Sequence, residues 1–135
     1  AAGGSGGKWM AYGRGGLRVP GVDAGVVGGD AITSDNMIAN KAGTSLIALA
    51  AQDAGVPCIA VAQTSKVVPP GVPYLNEEQE PEEIAPGVRM RNIVFDLTPM
   101  SRFSGVYTEE GLLTAERLDE IRAYIGSGSY SFGGA

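Results

Sequence analysis

Three short stretches of this chain carry side chains able to do chemistry on a small ligand. In Gly28-Gly29-Asp30, two glycines let the backbone approach a ligand closely, and the carboxylate after them can act as acid, base or hydroxyl acceptor. The same aspartate can equally be a turn residue bonded to nearby amides. In Asn40-Lys41-Ala42-Gly43-Thr44, the spacing puts Lys41 in the first two turns of a helix, where a cation costs ~0.3–1 kcal/mol against the dipole. A bound phosphate would offset that cost, with Asn40 as amide donor and Gly43 admitting close approach; the alternative is a solvated lysine beyond the dipole's short range. In Phe95-Asp96-Leu97-Thr98-Pro99, Asp96 stands at a strand end beside a helix start, where it either caps the helix or faces a ligand.

Two further candidates read as structural. Cys58 lies in a continuous apolar run with no basic neighbour, so burial would raise its pKa and leave it an inert core thiol. The glutamates between 77 and 83 are interrupted by Pro81 and lack the alternating carboxylates of a calcium loop, which makes them a solvated charged loop and predicts no metal. With no histidine at all, Ser-His-Asp triads, Cys-His pairs and His-ligated metals are excluded. A single cysteine excludes intrachain disulfides and thiolate zinc clusters, in keeping with a reducing compartment.

The elements that must position these residues follow from apolar periodicity. Val22–Val27 reads as a buried strand stopping at Gly28-Gly29-Asp30. From Asn36 to Ala54, Ile38, Ala42, Leu46, Leu49 and Ala50 recur at helical spacing, with Ser34 or Asp35 as N-cap and Gly55 and Pro57 as stop signals. Cys58–Ala62 is a second buried strand, so strand, helix and strand predict a right-handed βαβ unit and an α/β fold with a mostly parallel sheet. A Pro-rich loop over 68–73 follows. Arg91–Leu97 reads as a third strand, Thr98-Pro99 as an N-cap with proline at the first helical position, Ser104–Thr108 as a fourth strand, and Thr114–Ile125 as a final helix burying Leu118, Ile121 and Ile125.

The 135 residues suit one domain, and the 21 glycines are concentrated at the two ends, so 1–16 and 126–135 are expected to be flexible around a folded unit over 17–125. The net charge of −5 comes without a basic block or Arg-aromatic interleaving, which argues against direct nucleic-acid binding. No apolar run approaches the ~18–20 residues of a membrane span, and the first ten residues lack the apolar core of a signal peptide. The expectation is a cytoplasmic protein with no membrane partner.

Taken in order, GGDAITSDNMIANKAGTSLIALAAQDAGVP, AVAQTSK, EEQEPEEI, VRMRNIVFDLTP and VYTEEGLL resemble the initiation factor 2B α/β/δ-like family over residues 22–113. That family includes methylthioribose-1-phosphate isomerase, ribose-1,5-bisphosphate isomerase and regulatory subunits of eukaryotic initiation factor 2B. The pieces that carry the resemblance are a G-[AG]-D-x-I turn, an N-K-x-G-T helix start and a closing F-D-[VL]-T-P. It implies a Rossmann-like three-layer C-terminal domain that follows a helical domain and forms a homodimer or larger homo-oligomer. The implied activity is aldose–ketose isomerisation of a sugar 1-phosphate, in methionine salvage for the methylthioribose branch. No redox cofactor is implied, because the sugar's own hydrogen is relocated.

By the same resemblance Asp30 is the catalytic residue, working with a cysteine to move a proton or hydride between C1 and C2, and Asn40 and Lys41 bind the phosphorylated sugar. There are departures. The family's cysteine and phosphate-gripping arginines lie upstream of the G-[AG]-D turn, where this chain is glycine-rich, and Cys58 occupies a different place. The usual A-N-G-D before the N-K pair is Ser34-Asp35-Asn36-Met37, and Ala42 replaces isoleucine. The chain is thus expected to be a truncated member holding half an active site. The alternative is a non-catalytic module for subunit association or phosphate sensing, against which the presence of Asp30 counts. A plain nucleotide-binding module is disfavoured by the lack of G-x-G-x-x-G after the first strand.

Overall fold

The computed structural model describes residues 15–16, 18–74 and 78–127. The flexible ends expected over 1–16 and 126–135 fall almost wholly outside the described residues. Along the chain run β1 (Gly25–Gly28), β2 (Ala31–Ile32), β3 (Met37–Lys41), α1 (Thr44–Ala54), β4 (Cys58–Val61), β5 (Glu78–Ala85), β6 (Val88–Ile93), β7 (Phe95–Pro99), β8 (Gly105–Thr108), β9 (Gly111–Leu112) and α2 (Ala115–Gly126).

The main sheet has the order β1-β4-β8-β9, with β1, β4 and β8 parallel and only β9 antiparallel. The expected strand–helix–strand unit is β1–α1–β4, and the fold is α/β with a mostly parallel sheet. Close pairing at its start depends on a glycine: a Cβ on Gly25 would sit 3.2 Å from Cys58 Sγ. Val27, Cys58, Ala60 and Val106 point inward and share one core cluster with Ala48 and Ala51 of α1 and Leu118 and Ile121 of α2. The final helix matches its sequence expectation, with Thr114 Oγ1 as a true N-cap accepting from Arg117 N at 3.1 Å.

The largest difference from the periodicity concerns α1. It begins at Thr44, and the residues expected to form its first turns are instead β3, paired antiparallel with β2 and β7 in a second, three-stranded sheet. Ser34 and Asp35 cap no helix; they lie in the β2–β3 turn, where Thr33 Oγ1 accepts from Met37 N at 3.0 Å and donates to Asp35, and Asn36 adopts φ 62°. The helix cannot start earlier because Gly43 has φ 108°, a left-handed geometry that interrupts helical backbone. The buried face of α1 is Thr44, Ala48 and Ala51, while Leu46 and Leu49 are exposed.

Three other expectations are corrected. The acidic stretch is not a loop: it forms β5, which pairs with β6 in a two-stranded antiparallel hairpin turning at Gly87, φ 77°. The single strand expected over Arg91–Leu97 is two, β6 and β7, on different sheets. A short helical turn does follow Thr98-Pro99, but Thr98 does not cap it: the N-cap is Pro99, which ends β7, and the turn is a 3-10 one over Met100–Arg102.

Candidate functional site

In a parallel sheet the strands' carboxyl ends, where loops diverge, are where ligands collect. Such a cleft of about 460 Å³ opens here, lined by the turn Gly28-Gly29-Asp30, by Asn40, by the segment following β4 that carries Gln63 and Lys66, and by Thr108 and Glu109 after β8. Gly29 closes β1 against β4 through Gly29 N donating to Val61 O at 2.9 Å, and a Cβ there would meet Ala62 Cβ at 3.0 Å. Gly29 is thus required by packing against Ala62 and Ile38. Asp30 follows at the rim, its backbone N–H donating to Ala39 O at 2.7 Å. Its side chain is exposed, and no hydrogen bond or ion pair of its carboxylate falls among the described residues.

Asn40 reaches the same cleft from β3. Its Nδ2 donates to Thr44 Oγ1 at 3.0 Å, and Thr44 Oγ1 in turn donates to Lys41 O at 2.7 Å. Thr44 is fully buried, so this chain of bonds fixes the Asn40 amide and leaves Oδ1 on the Gly28 side, where a Cβ on Gly28 would be 3.8 Å from it. The N-K-x-G-T motif is thus a strand-to-helix corner, with Gly43 supplying the left-handed step and Thr44 the lock.

Lys41 is placed differently from its expectation. It is the last residue of β3, not a helical residue, it is exposed, and it does not line the cleft. Side chains alternate along a strand, so Asn40 and Lys41 project to opposite faces of β3. The helix start is not an open anion site either: Asp96 Oδ2 accepts from Gly43 N at 2.8 Å and from Ser45 N at 3.1 Å. Asp96 therefore caps a helix, but α1 across the sheet from β7 rather than the one expected after it. Two orphan donors and the dipole are satisfied at once, an arrangement worth about 1 kcal/mol. Ser45 Oγ and Thr98 Oγ1, 2.7 Å apart, join the N-K-x-G-T and F-D-L-T-P segments beside it.

The cation that does line the cleft with Asp30 and Asn40 is Lys66, which the sequence reading did not single out. A signal existed: it is the cation following the second parallel strand, where ligand-binding loops begin. Glu109 was missed as well. Its carboxylate accepts from Thr64 N at 3.0 Å and from Thr64 Oγ1, tying the β8–β9 turn to the 3-10 turn over Thr64–Lys66. These bonds hold the Glu109 carboxyl below the usual carboxylate range. Cys58 is 1% exposed, burial pushes its thiol pKa up, and it lines no part of the cleft. It is the core thiol expected from its apolar run.

Chemically, the cleft offers an exposed carboxylate, an oriented amide and an ammonium within one concavity, a set suited to a polyhydroxylated anion. The chain is 41% identical over 104 residues to ribose 1,5-bisphosphate isomerase of Archaeoglobus fulgidus, covering 70% of this chain and 33% of that protein. To methylthioribose-1-phosphate isomerase of Drosophila persimilis it is 34% identical over 116 residues, 77% of this chain and 32% of the relative. It spans about a third of the length of these curated relatives.

Among solved structures, translation initiation factor eIF-2B of Pyrococcus horikoshii superposes with a TM-score of 0.69 at 32% identity, over 82% of this chain and 40% of that one. The 5-methylthioribose 1-phosphate isomerase of the same organism gives 0.69 at 30% identity, over 84% and 36%. Residues 16–115 match the model of the Initiation factor 2 subunit family, and with the corner motifs and cleft described above the chain belongs to that family.

Proposed function

We propose that this chain is the site-bearing domain of an aldose–ketose isomerase acting on a sugar 1-phosphate of the methylthioribose-1-phosphate or ribose-1,5-bisphosphate type. The observation that carries the reading is the convergence of Asp30, Asn40 and Lys66 on one cleft at the carboxyl ends of β1 and β4. The family relatives named as isomerases of these two sugars support the substrate class. In the proposed reaction the bond from C1 to the ring oxygen breaks as that oxygen takes up a proton, the hydrogen on C2 moves to C1, and the C2 hydroxyl gives up its proton, so that C1 becomes a methylene still esterified to phosphate and C2 a ketone. The hydrogen stays within the molecule, so no redox cofactor is called for. Asp30 exchanges a proton with the reacting carbon–oxygen unit. Asn40 orients a sugar oxygen from the cleft wall, the phosphate is held by Lys66 within the cleft, and Lys41, on the other face of β3, contributes only the longer-range attraction of an exposed ammonium. The reading includes a cytoplasmic homo-oligomer. Among the described residues no helix is long and apolar enough to cross a membrane.

A second reading has its own support: the likeness to P. horikoshii eIF-2B, with the sole cysteine buried away from Asp30, suits a non-catalytic module for subunit association or phosphate sensing. The test offers ribose 1,5-bisphosphate and methylthioribose 1-phosphate to the protein and to its Asp30→Asn variant, following ketose formation by NMR. The isomerase reading expects ketose with the wild type and a fall of roughly 10²–10⁴-fold in the variant. Equal product from both refutes the role of Asp30. Where neither turns over but both sugar phosphates shield Lys66 from acylation, the sensing reading replaces the isomerase.

A further inference from the structure

We infer that Thr44 is a positioning residue that sets the direction of the Asn40 amide, so that the cleft corner beside Gly28 takes a hydrogen-bond donor, a sugar hydroxyl, and turns away phosphate oxygens. The inference rests on the sugar-phosphate reading of the cleft and adds to it which part of the ligand lies against Asn40. A hydroxyl has a single proton. Thr44 Oγ1 donates that proton to Lys41 O at 2.7 Å, so toward Asn40, 3.0 Å away, it can only accept. The amide atom facing Thr44 is therefore the donor Nδ2. The acceptor Oδ1 is left on the Gly28 side, 3.8 Å from where a Cβ on Gly28 would be.

The two ends of an asparagine amide have nearly the same shape, so packing alone would let them exchange. Here the exchange would set Oδ1 against Thr44 Oγ1, and only taking the proton away from Lys41 O would reconcile the pair. Thr44 is fully buried, so water cannot replace the lost bond. As the first residue of α1, directly after left-handed Gly43, Thr44 is itself held in place by the corner. The amide thus points one way before any ligand arrives. Of the residues lining the cleft, only Lys66 carries a positive charge. A phosphate brought to Oδ1 would meet an oxygen with no proton to offer. A sugar hydroxyl can donate to Oδ1, whose two lone pairs accept it beside any bond within the protein. The ligand accordingly enters with its phosphate toward Lys66 and a hydroxyl toward Asn40.

The test titrates ribose 1,5-bisphosphate and its 2-deoxy-2-fluoro and 3-deoxy-3-fluoro analogues, whose fluorine has no proton to donate, into the wild type, Thr44→Ser and Thr44→Val, with binding read by NMR. One fluoro analogue is expected to bind the wild type roughly tenfold or more weakly than the parent sugar, because the site is left with an unmatched acceptor. Thr44→Ser keeps the hydroxyl and should keep that ratio. Thr44→Val frees the amide to turn and should bring the ratio within about threefold, with affinity for inorganic phosphate unchanged. An unchanged ratio in Thr44→Val, or an equal loss of affinity for every ligand, overturns the inference. Should Thr44→Val lose its dispersed amide signals, the wild type decides alone: the Asn40 Hδ2 protons are expected to exchange with solvent at least about tenfold more slowly than those of exposed Asn36. Equal exchange overturns the lock. If ribose 1,5-bisphosphate does not bind the wild type, the sugar-phosphate reading falls and this inference with it. If it binds, but no more tightly than either analogue, the inference alone falls.

Discussion

Asp30 and Asp96 each stand at the end of an apolar strand, and the sequence offers the same two readings for both: a structural bond to backbone, or a carboxylate facing a ligand. The structure separates them. Asp96 gives one oxygen to two N–H groups of the α1 start, whereas the Asp30 side chain faces the cleft without a bond to any described residue. What decides between them is not the strand end itself but what the neighbouring strand does next. β7 lies beside β3, whose continuation is a helix needing a cap; β1 lies beside β4, whose continuation curls into the loop carrying Gln63 and Lys66. An acid near a helix start becomes mortar, and one above a cleft stays available for chemistry.

Substitutions sharpen the contrast. Asp30→Asn is expected to cost turnover roughly 10²–10⁴-fold while shifting stability by no more than about 0.5 kcal/mol; parallel ketose assays and urea titrations measure both. A large loss of stability would erase the distinction from Asp96. Next in size, Lys66→Met should weaken sugar-phosphate binding by about tenfold or more, the value of a charge-assisted bond, and Lys41→Met by less. The reverse order in calorimetric titration would move the phosphate out of the cleft and onto the exposed end of β3.

Asp96→Ala carries the opposite signature to Asp30→Asn. Loss of the cap and of a charge favourable to the dipole should lower stability by about 1–2 kcal/mol, seen as a lower urea midpoint, with sugar-phosphate affinity retained. Lost affinity at unchanged stability would make Asp96 a ligand residue after all.

The smallest effect concerns Glu109. Hydrogen bonds from Thr64 lower its folded pKa, so the stability it contributes is present above the ordinary carboxylate pKa and is lost as pH falls through the lowered folded value. Glu109→Gln should therefore be less stable than wild type at neutral pH and approach it in acid. Parallel unfolding curves at every pH would show that the clasp on Thr64 contributes nothing.

Much of this architecture is legible in the letters, and the exceptions have physical causes. β4 and α2 stand out because each buries a regular pattern, Cys58 and Ala60 in one and Leu118 and Ile121 in the other. The start of α1 is hidden because β3 packs Ile38 and Ala39 into the interior in succession, so its apolar residues extend the helical spacing backwards. Gly43 was the available clue, since a left-handed glycine inside such a pattern marks a boundary. The β5–β6 hairpin has an exposed turn over Ala85–Arg89, so no alternation of buried and exposed residues announced it there, though the Pro86-Gly87 pair did mark a turn. Within the site, Asp30 and Asn40 were readable from the glycine turn and the corner motif. Lys66 was not, because its place in the cleft depends on the 3-10 turn that brings it back toward β1.

The account rests on the cleft between β1, β3 and the loop after β4 being where a sugar phosphate binds. Backbone amide shifts followed by NMR while ribose 1,5-bisphosphate is titrated in address that directly. The account predicts perturbations at Gly28–Asp30, Asn40, Gln63–Lys66 and Thr108–Glu109, with the α1 start at Gly43–Ser45 and the body of α2 unmoved. Perturbations centred on Gly43–Ser45 and Lys41, or none anywhere at saturating sugar phosphate, would contradict it.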